Sequence, residues 1–141
     1  MERRIRVIKD YAREFENPIS MKKGSHIKVI RKNEGRYKEW FWCKNEEGIE
    51  AFAPSEILEI DGSSAVFLQD YDSRELTVYE GDILIFISEM GGWAWVKKSS
   101  GEYGWVPKEN TEPYVTRYEL IFSFLCITNT LRYGSPHDNL W

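Results

Sequence analysis

The chain carries one pattern of residues twice, and this repetition restricts its fold more than any other feature. The first copy runs Val7-Ile8-Lys9-Asp10-Tyr11 and then Ile19-Ser20-Met21-Lys22-Lys23-Gly24. The second runs Phe67-Leu68-Gln69-Asp70-Tyr71 and then Leu76-Thr77-Val78-Tyr79-Glu80-Gly81-Asp82. An apolar stretch follows in each copy, at 27–30 and at 83–87. Next comes an aromatic one, Trp40-Phe41-Trp42 and Trp93-Ala94-Trp95. Each copy closes on an aromatic-X-Pro triplet, Phe52-Ala53-Pro54 and Trp105-Val106-Pro107. Order and approximate spacing agree throughout.

Period and punctuation say what each copy folds into. Residues 83–87 are apolar on both faces of a two-residue period, and β-branched and aromatic residues dominate these runs, as strands prefer. Gly24 and Gly81 fall where the chain must reverse, and 45–48 and 99–101 read as hairpin loops between strands. No stretch combines sustained helical periodicity with caps. The expectation is an all-β chain with two small five-stranded barrels in tandem, one at 1–60 and one at 61–115. A C-terminal extension follows at 116–141. Within it, 118–131 is apolar and β-branched enough for a strand or a short buried helix, and 134–141 reads as a frayed end. The linker Asp61-Gly62-Ser63-Ser64 is short for a flexible tether. The two units are therefore expected to touch, and their grooves to form one extended or shared site.

Composition excludes several functions. With 141 residues, each unit is near the size of about 55–65 residues at which a domain folding alone is marginal. The 6 Trp, 8 Tyr and 7 Phe supply much contact area per residue to such a small core or to a recognition surface. A net charge of −4 opposes nucleic-acid binding, and the basic cluster Arg3, Arg4, Arg6 and Lys9 reads as a solvated strand face. Cys43 and Cys126 form neither a disulfide framework nor a zinc spacing, and Cys43 reads as a small buried hydrophobe. The charged start reads as no signal peptide, and the apolar run at 120–127 is far below the roughly 20 residues of a membrane span. A reducing, cytoplasmic setting is expected. His26 and His137 have no evident partner, and no phosphate loop or metal-ligand cluster occurs. No catalytic activity, no cofactor and no metal are expected.

The repeated residues resemble the Src-homology 3 (SH3) family. Val7 to Tyr11 and Phe67 to Tyr71 are similar to its opening Ala-Leu-Tyr-Asp-Tyr strand, and Glu75 to Asp82 to its Glu-Leu-Ser-Phe-x-x-Gly-Asp segment. Trp40 and Trp93 correspond to its ligand-facing tryptophan, and the stretches around Pro54 and Pro107 to its closing motif. The resemblance implies a protein–protein interaction adaptor that binds extended peptides, proline-rich ones included, because a preformed polyproline II helix loses little entropy on docking. It places peptide contacts at Tyr11, Trp40, Phe52 and Pro54, with Glu14 and Glu16 in the acidic loop of the first copy. In the second copy it places them at Tyr71, Trp93, Trp105 and Pro107, with Asp72 and Glu75 as the acids of a shorter loop. Lys9, Ile57, Gln69 and Thr111 stand where the family has aromatic ridges, so neither groove is complete. Trp42 and Trp95 are expected to pack on the core or a shared interface, on the face away from Trp40 and Trp93. Two other readings stay open. One is a structural or autoinhibitory module of a larger assembly, and the other a small-barrel reader of modified peptides or nucleic acid.

Overall fold

The computed structural model describes residues 2–35 and 39–116. The readings made for 118–131, 134–141, Cys126 and His137 lie outside them. The described chain is all-β: β1 (Arg3–Val7), β2 (Ser20–Met21), β3 (His26–Lys32), β4 (Trp40–Lys44), β5 (Glu50–Pro54) and β6 (Leu58–Asp61) belong to the first copy. The second supplies β7 (Ser64–Phe67), β8 (Tyr71–Asp72), β9 (Ile83–Met90), β10 (Trp93–Lys97), β11 (Tyr103–Pro107) and β12 (Thr111–Tyr114). Single 3₁₀ turns at Ser55–Ile57 and Lys108–Asn110 occupy equivalent places in the two copies. Among the described residues no helix is long and apolar enough to cross a membrane.

The strands sort into two antiparallel five-stranded sheets, in the orders β5-β4-β3-β7-β6 and β11-β10-β9-β1-β12, with a separate ribbon of β2 and β8. Each sheet thus takes its fifth member from the other copy. β1 lies between β9 and β12, with Ile5 opposite Leu84 and Pro113. β7 lies between β3 and β6, with Ala65 opposite Ile27 and Ile60. The backbone bonds of the two exchanged strands match one for one. Val7 and Phe67 donate to the carbonyls of Asp82 and Ser25 (both 2.9 Å), while Gly81 and Gly24 donate back to Val7 and Phe67 (both 2.8 Å).

A division of the chain between 60 and 61 is therefore not where the sheets divide. The cause is the connection between the copies. Asp61 pairs with Ser64, leaving Gly62 and Ser63 as a two-residue hairpin turn. Gly62 adopts φ +62°, the positive dihedral that a hairpin of the II′ type reserves for glycine at its first central position. A turn this tight keeps β7 against β6, so the opening strand of the second copy completes the sheet of the first. The equivalent slot beside β9 is filled by β1.

The cores record the exchange. One is built by Ile19, Ile27, Cys43, Ala51, Ala53 and Ile57 together with Ala65, Phe67 and Tyr71 from beyond the turn. The other joins Ile5 and Val7 to Leu76, Val78, Leu84, Ala94, Val96 and Val106. Along β1 the apolar Ile5 and Val7 point inward while Arg4 and Arg6 are exposed, as the solvated-face reading of that cluster requires. Arg6 Nε donates to Glu112 Oε1 across the sheet (2.9 Å). The expected closure into barrels is not what the pairing shows, since among the described residues no pairing joins the end strands of either sheet. The free edge of β11 is covered instead by the segment at 74–76, where Trp105 donates to the Arg74 carbonyl and Leu76 to the Trp105 carbonyl (2.9 and 3.1 Å).

Ile5 is fully buried in the core of the second copy although it is five residues from the N-terminus. Ile5→Ala is expected to destabilise the protein by about 2–5 kcal/mol, as truncations of buried isoleucine do. The lost hydrogen-exchange protection should fall on β9, β10 and β12. Loss confined to β3–β6 would mean that the first copy folds with its own opening strand.

Candidate functional site

Strands β4 and β5 pair with Trp40 opposite Pro54 and Trp42 opposite Phe52. Strands β10 and β11 pair likewise, with Trp93 opposite Pro107 and Trp95 opposite Trp105. Side chains two apart along a strand share a face, so Trp40, Trp42 and Phe52 lie on one face of β4–β5 and Trp93, Trp95 and Trp105 on one face of β10–β11, with the residues between them turned inward. Ala51, Ala53, Ala94 and Val106 fill the inner faces. This corrects the expectation that Trp42 and Trp95 point away from Trp40 and Trp93. Trp42 packs edge-on against Phe52 (centroids 4.7 Å) and Trp95 against Trp105 (5.1 Å), extending the same aromatic surfaces. Trp95 is half-buried and packs against the core cluster that holds Trp105, its partner across β10 and β11.

The two aromatic surfaces meet. Trp40 packs edge-on against Trp93 (6.3 Å) and Trp105 (6.5 Å) of the other half, and Trp105 lies 6.4 Å from Tyr71. The Trp40 indole N–H donates to the Gly91 carbonyl (2.9 Å) in the turn between β9 and β10. The Trp105 indole N–H donates to the Asp72 carbonyl (2.7 Å). Both rings are almost wholly buried, at 5% and 7% exposure, with their only donors engaged. They are walls of the junction and no longer free groove ridges.

Above this junction lies one cleft of about 330 Å³. The first copy lines it with Phe15, Trp40 and Phe52, and with Asn33 and Gly35 before β4. The second lines it with Tyr71, Ser73, Trp93 and Trp105. Two carboxylates, Glu14 and Glu75, face the same space. Of the residues expected to contact a peptide, Glu14, Trp40, Phe52, Tyr71, Glu75, Trp93 and Trp105 are thus brought together. Tyr11 stands just behind, edge-on to Trp93 at 5.5 Å. Asp72 lines a separate pocket on the far side of Tyr71 and Trp105, and its carboxylate accepts the Arg74 N–H (2.8 Å). Glu16 is exposed and outside the cleft. Pro54 and Pro107 are buried, each covered by the strand pairing that was expected to present it.

Sequence reasoning missed Phe15. This ring sits between the two acidic residues expected at the loop, 5.3 Å from Trp42 and 6.1 Å from Phe52. An aromatic residue inside an acidic loop was the available signal. It also missed Arg31, whose guanidinium lies over the rings of Trp42 (5.7 Å) and Phe52 (5.9 Å).

Glu75 is the electrostatic centre of the cleft. Its Oε1 accepts both the Tyr11 hydroxyl (2.7 Å) and the Glu14 backbone N–H (2.9 Å), so it ties the loop of the first copy to that of the second. Burial pushes its carboxyl above the usual range, while the Glu14 N–H and the Tyr11 hydroxyl pull it back and the Glu14 charge raises it. Burial also lifts the Tyr71 phenol, whose hydroxyl donates to the Phe52 carbonyl (2.8 Å), and pushes the Cys43 thiol up to about 12. At neutral pH neither group ionises, so Cys43 behaves as the small hydrophobe its sequence context suggests. Among the described residues no three His, Cys, Asp or Glu side chains are grouped to hold a metal ion.

Two outcomes follow from this geometry. A carboxyl raised by folding holds its proton more tightly in the fold than in the open chain. Its linkage therefore makes stability greatest below the unfolded value and lowers it as the pH rises through the raised folded one. Glu75→Gln keeps an oxygen for both donors, and is expected to flatten that part of the stability–pH curve and to raise stability at neutral pH. Urea unfolding between pH 4 and pH 8 checks this, and parallel curves for the two proteins would refute it.

The second outcome concerns Gly91. A Cβ there would collide with the Trp40 indole nitrogen and come within 3.0 Å of its Cε2. Gly91→Ala is expected to cost about 1–3 kcal/mol of overpacking beyond its dihedral strain. Gly24→Ala, at φ +88° with open space around it, serves as the strain-only control in the same denaturation series.

Comparison with known proteins agrees with part of the sequence reading. Residues 4–61 match the family model of the variant SH3 domain, a type of domain that generally mediates protein–protein interactions. The match covers less than half of the chain and ends before β7, the opening strand of the second copy. No curated protein matches the chain.

Proposed function

We propose that the chain is a non-enzymatic interaction module that holds one extended peptide segment in the cleft between its two halves. The observation that carries this reading is the composition of that cleft. Both copies contribute aromatic rings to it, and both contribute a carboxylate. Flat rings set at angles give ridges against which the rings and methylenes of an extended chain can pack. Proline-rich segments suit such ridges because their polyproline II form is already ordered before binding.

The proposal is one shared site because the outer surfaces of β4–β5 and β10–β11 are turned toward each other. Two separate grooves would need Trp40, Pro54, Trp105 and Pro107 at the surface, and all four are buried. A binding role, as against catalysis, is supported by the state of the polar groups. The Tyr11 and Tyr71 hydroxyls and the Trp40 and Trp105 indoles all donate to protein acceptors, which fixes the walls of the cleft.

Trp93 lies at the edge of the junction, against Trp40 and Tyr11, and is only half-buried where it lines the cleft. Trp93→Ala is expected to weaken a peptide selected from a proline-containing array by about 2 kcal/mol, in the range of aromatic hot spots. Trp40→Ala should instead lower the stability of the whole protein. Titration of the labelled peptide, with circular dichroism on each variant, checks both. Unchanged affinity in a folded Trp93→Ala protein would put the peptide site elsewhere.

A further inference from the structure

The edge strands β5 and β11 are built alike and are covered differently. Backbone bonds from Asn45 to Ile49 and from Ser55 to Glu39 fix the alternation along β4–β5. Glu50, Phe52 and Pro54 therefore turn their backbone groups outward, away from β4. Bonds from Lys98 to Glu102 and from Lys108 to Gly92 turn Tyr103, Trp105 and Pro107 outward in the same way. At β11 the chain itself fills the edge. Glu75 bridges Trp105 in parallel, with the Trp105 N–H on the Arg74 carbonyl and the Leu76 N–H on the Trp105 carbonyl.

The first copy does not repeat this. Its equivalents of 74–76 are Asn17, Pro18 and Ile19, and Ile19 is engaged elsewhere. The Ile19 N–H donates to Ser73 Oγ (2.8 Å), and its carbonyl accepts the Ser73 N–H (3.0 Å). Among the described residues nothing accepts the Phe52 N–H. The Phe52 carbonyl takes the Tyr71 hydroxyl (2.8 Å) and keeps a second lone pair. Ala51 and Phe52 line the cleft, so the cleft lies beside this open stretch of edge.

We propose that the peptide docks as a parallel strand on β5, in the place that 74–76 hold on β11, an inference that rests on the peptide-binding reading above. The carbonyl of one peptide residue accepts the Phe52 N–H, and the N–H two residues later donates to the Phe52 carbonyl. The residue between them turns its own N–H away from β5 and its side chain to the face of the Phe52 ring. Proline is accepted at that residue and excluded at the next, where a donor is needed. Main-chain bonds of this kind give an added strand its affinity, and the surfaces met by alternate side chains give its specificity. A second copy's sheet edge is a poorer occupant. Pro54 has no N–H, so the outward donors of β5 end at Phe52, and so short an edge resists edge-to-edge pairing.

Amide hydrogen exchange on the full chain, with and without a peptide selected from the proline-containing array, tests this. The Trp105 amide is expected to be protected in both states, and the Phe52 amide tenfold or more better in the complex. An ester scan of the same peptide removes one backbone N–H at a time. It should find one position, directly after the residue opposite Phe52, whose loss weakens binding about two- to tenfold, the range of one hydrogen bond. Protection of Phe52 in the free chain would mean that the protein closes its own edge, and would overturn the proposal. Protection that rises with protein concentration alone would assign the edge to a second copy and overturn it as well. Binding that depends on Trp93, with an unprotected Phe52 amide and a flat ester scan, would overturn the added strand and leave the peptide-binding reading standing. If no array peptide binds, that reading falls with the inference.

Discussion

A two-residue turn determines the organisation of this molecule. Gly62 and Ser63 allow no distance between β6 and β7, so the opening strand of the second copy must pair where the first copy ends. The second copy is then short of a strand, and β1 supplies it. The loops that follow the exchanged strands must cross as well. Tyr11 bridges to Val78, while Met21 bridges to Tyr71. This crossing brings Glu14 of one copy onto Glu75 of the other and turns the two aromatic surfaces toward each other. The exchange, the junction at Trp40 and the cleft shared by both copies are successive consequences of one short connection.

Once the aromatic surfaces meet, burial changes what each ring does. Fully burying a large apolar side chain contributes roughly 1.5–3 kcal/mol, and the indole N–H must then find an acceptor. Trp40 and Trp105 satisfy both conditions inside the protein, through Gly91 and Asp72. They stabilise the contact between the copies, while Trp93, Phe15 and Phe52 stay half-buried beside it. The absence of tyrosine at Lys9, Ile57, Gln69 and Thr111 is coherent with this arrangement. A groove that is folded into an interface has no use for ridges at its outer margin.

The local structure was legible in the sequence and the pairing was not. Alternation and glycine placement locate the strands, because the two-residue period is a property of each run by itself. The doubled motif identifies equivalent positions, so the same 3₁₀ turn and the same hydrogen bonds recur around Val7 and Phe67. Motif order says nothing about which copy of a strand fills which sheet, since both fillings preserve every motif. The linker held that information. It was read as a short tether between units, when Asp61-Gly62-Ser63-Ser64 has the composition of a hairpin turn. Of the cleft lining, the aromatic positions Trp93, Phe52 and Tyr71 were named from the motif alone. Phe15 was lost because it lies in a loop, and the accessibility of Pro54 and Trp40 was misjudged because it depends on the other copy.

The side chains of the exchanged strands explain why the arrangement is selective. Ile5 and Ala65 occupy equivalent positions, as do Val7 and Phe67. The core of β3–β6 takes a small residue and then a large aromatic one, and Phe67 stacks on Tyr71 there at 5.8 Å. The core of β9–β12 takes a larger residue first and the small Val7 second, both essentially without exposure. Returning each strand to its own copy would set Phe67 where Val7 fits, an overpacking that costs about 1–3 kcal/mol. It would also leave a void where Phe67 now stacks, since Val7 is too small to reach Tyr71. Turn and core volumes therefore favour the same partner for each strand. A segment matched as one SH3 unit at 4–61 therefore does not contain a complete sheet here. Its first strand belongs to the other sheet, and the strand that completes its own sheet begins after the match ends.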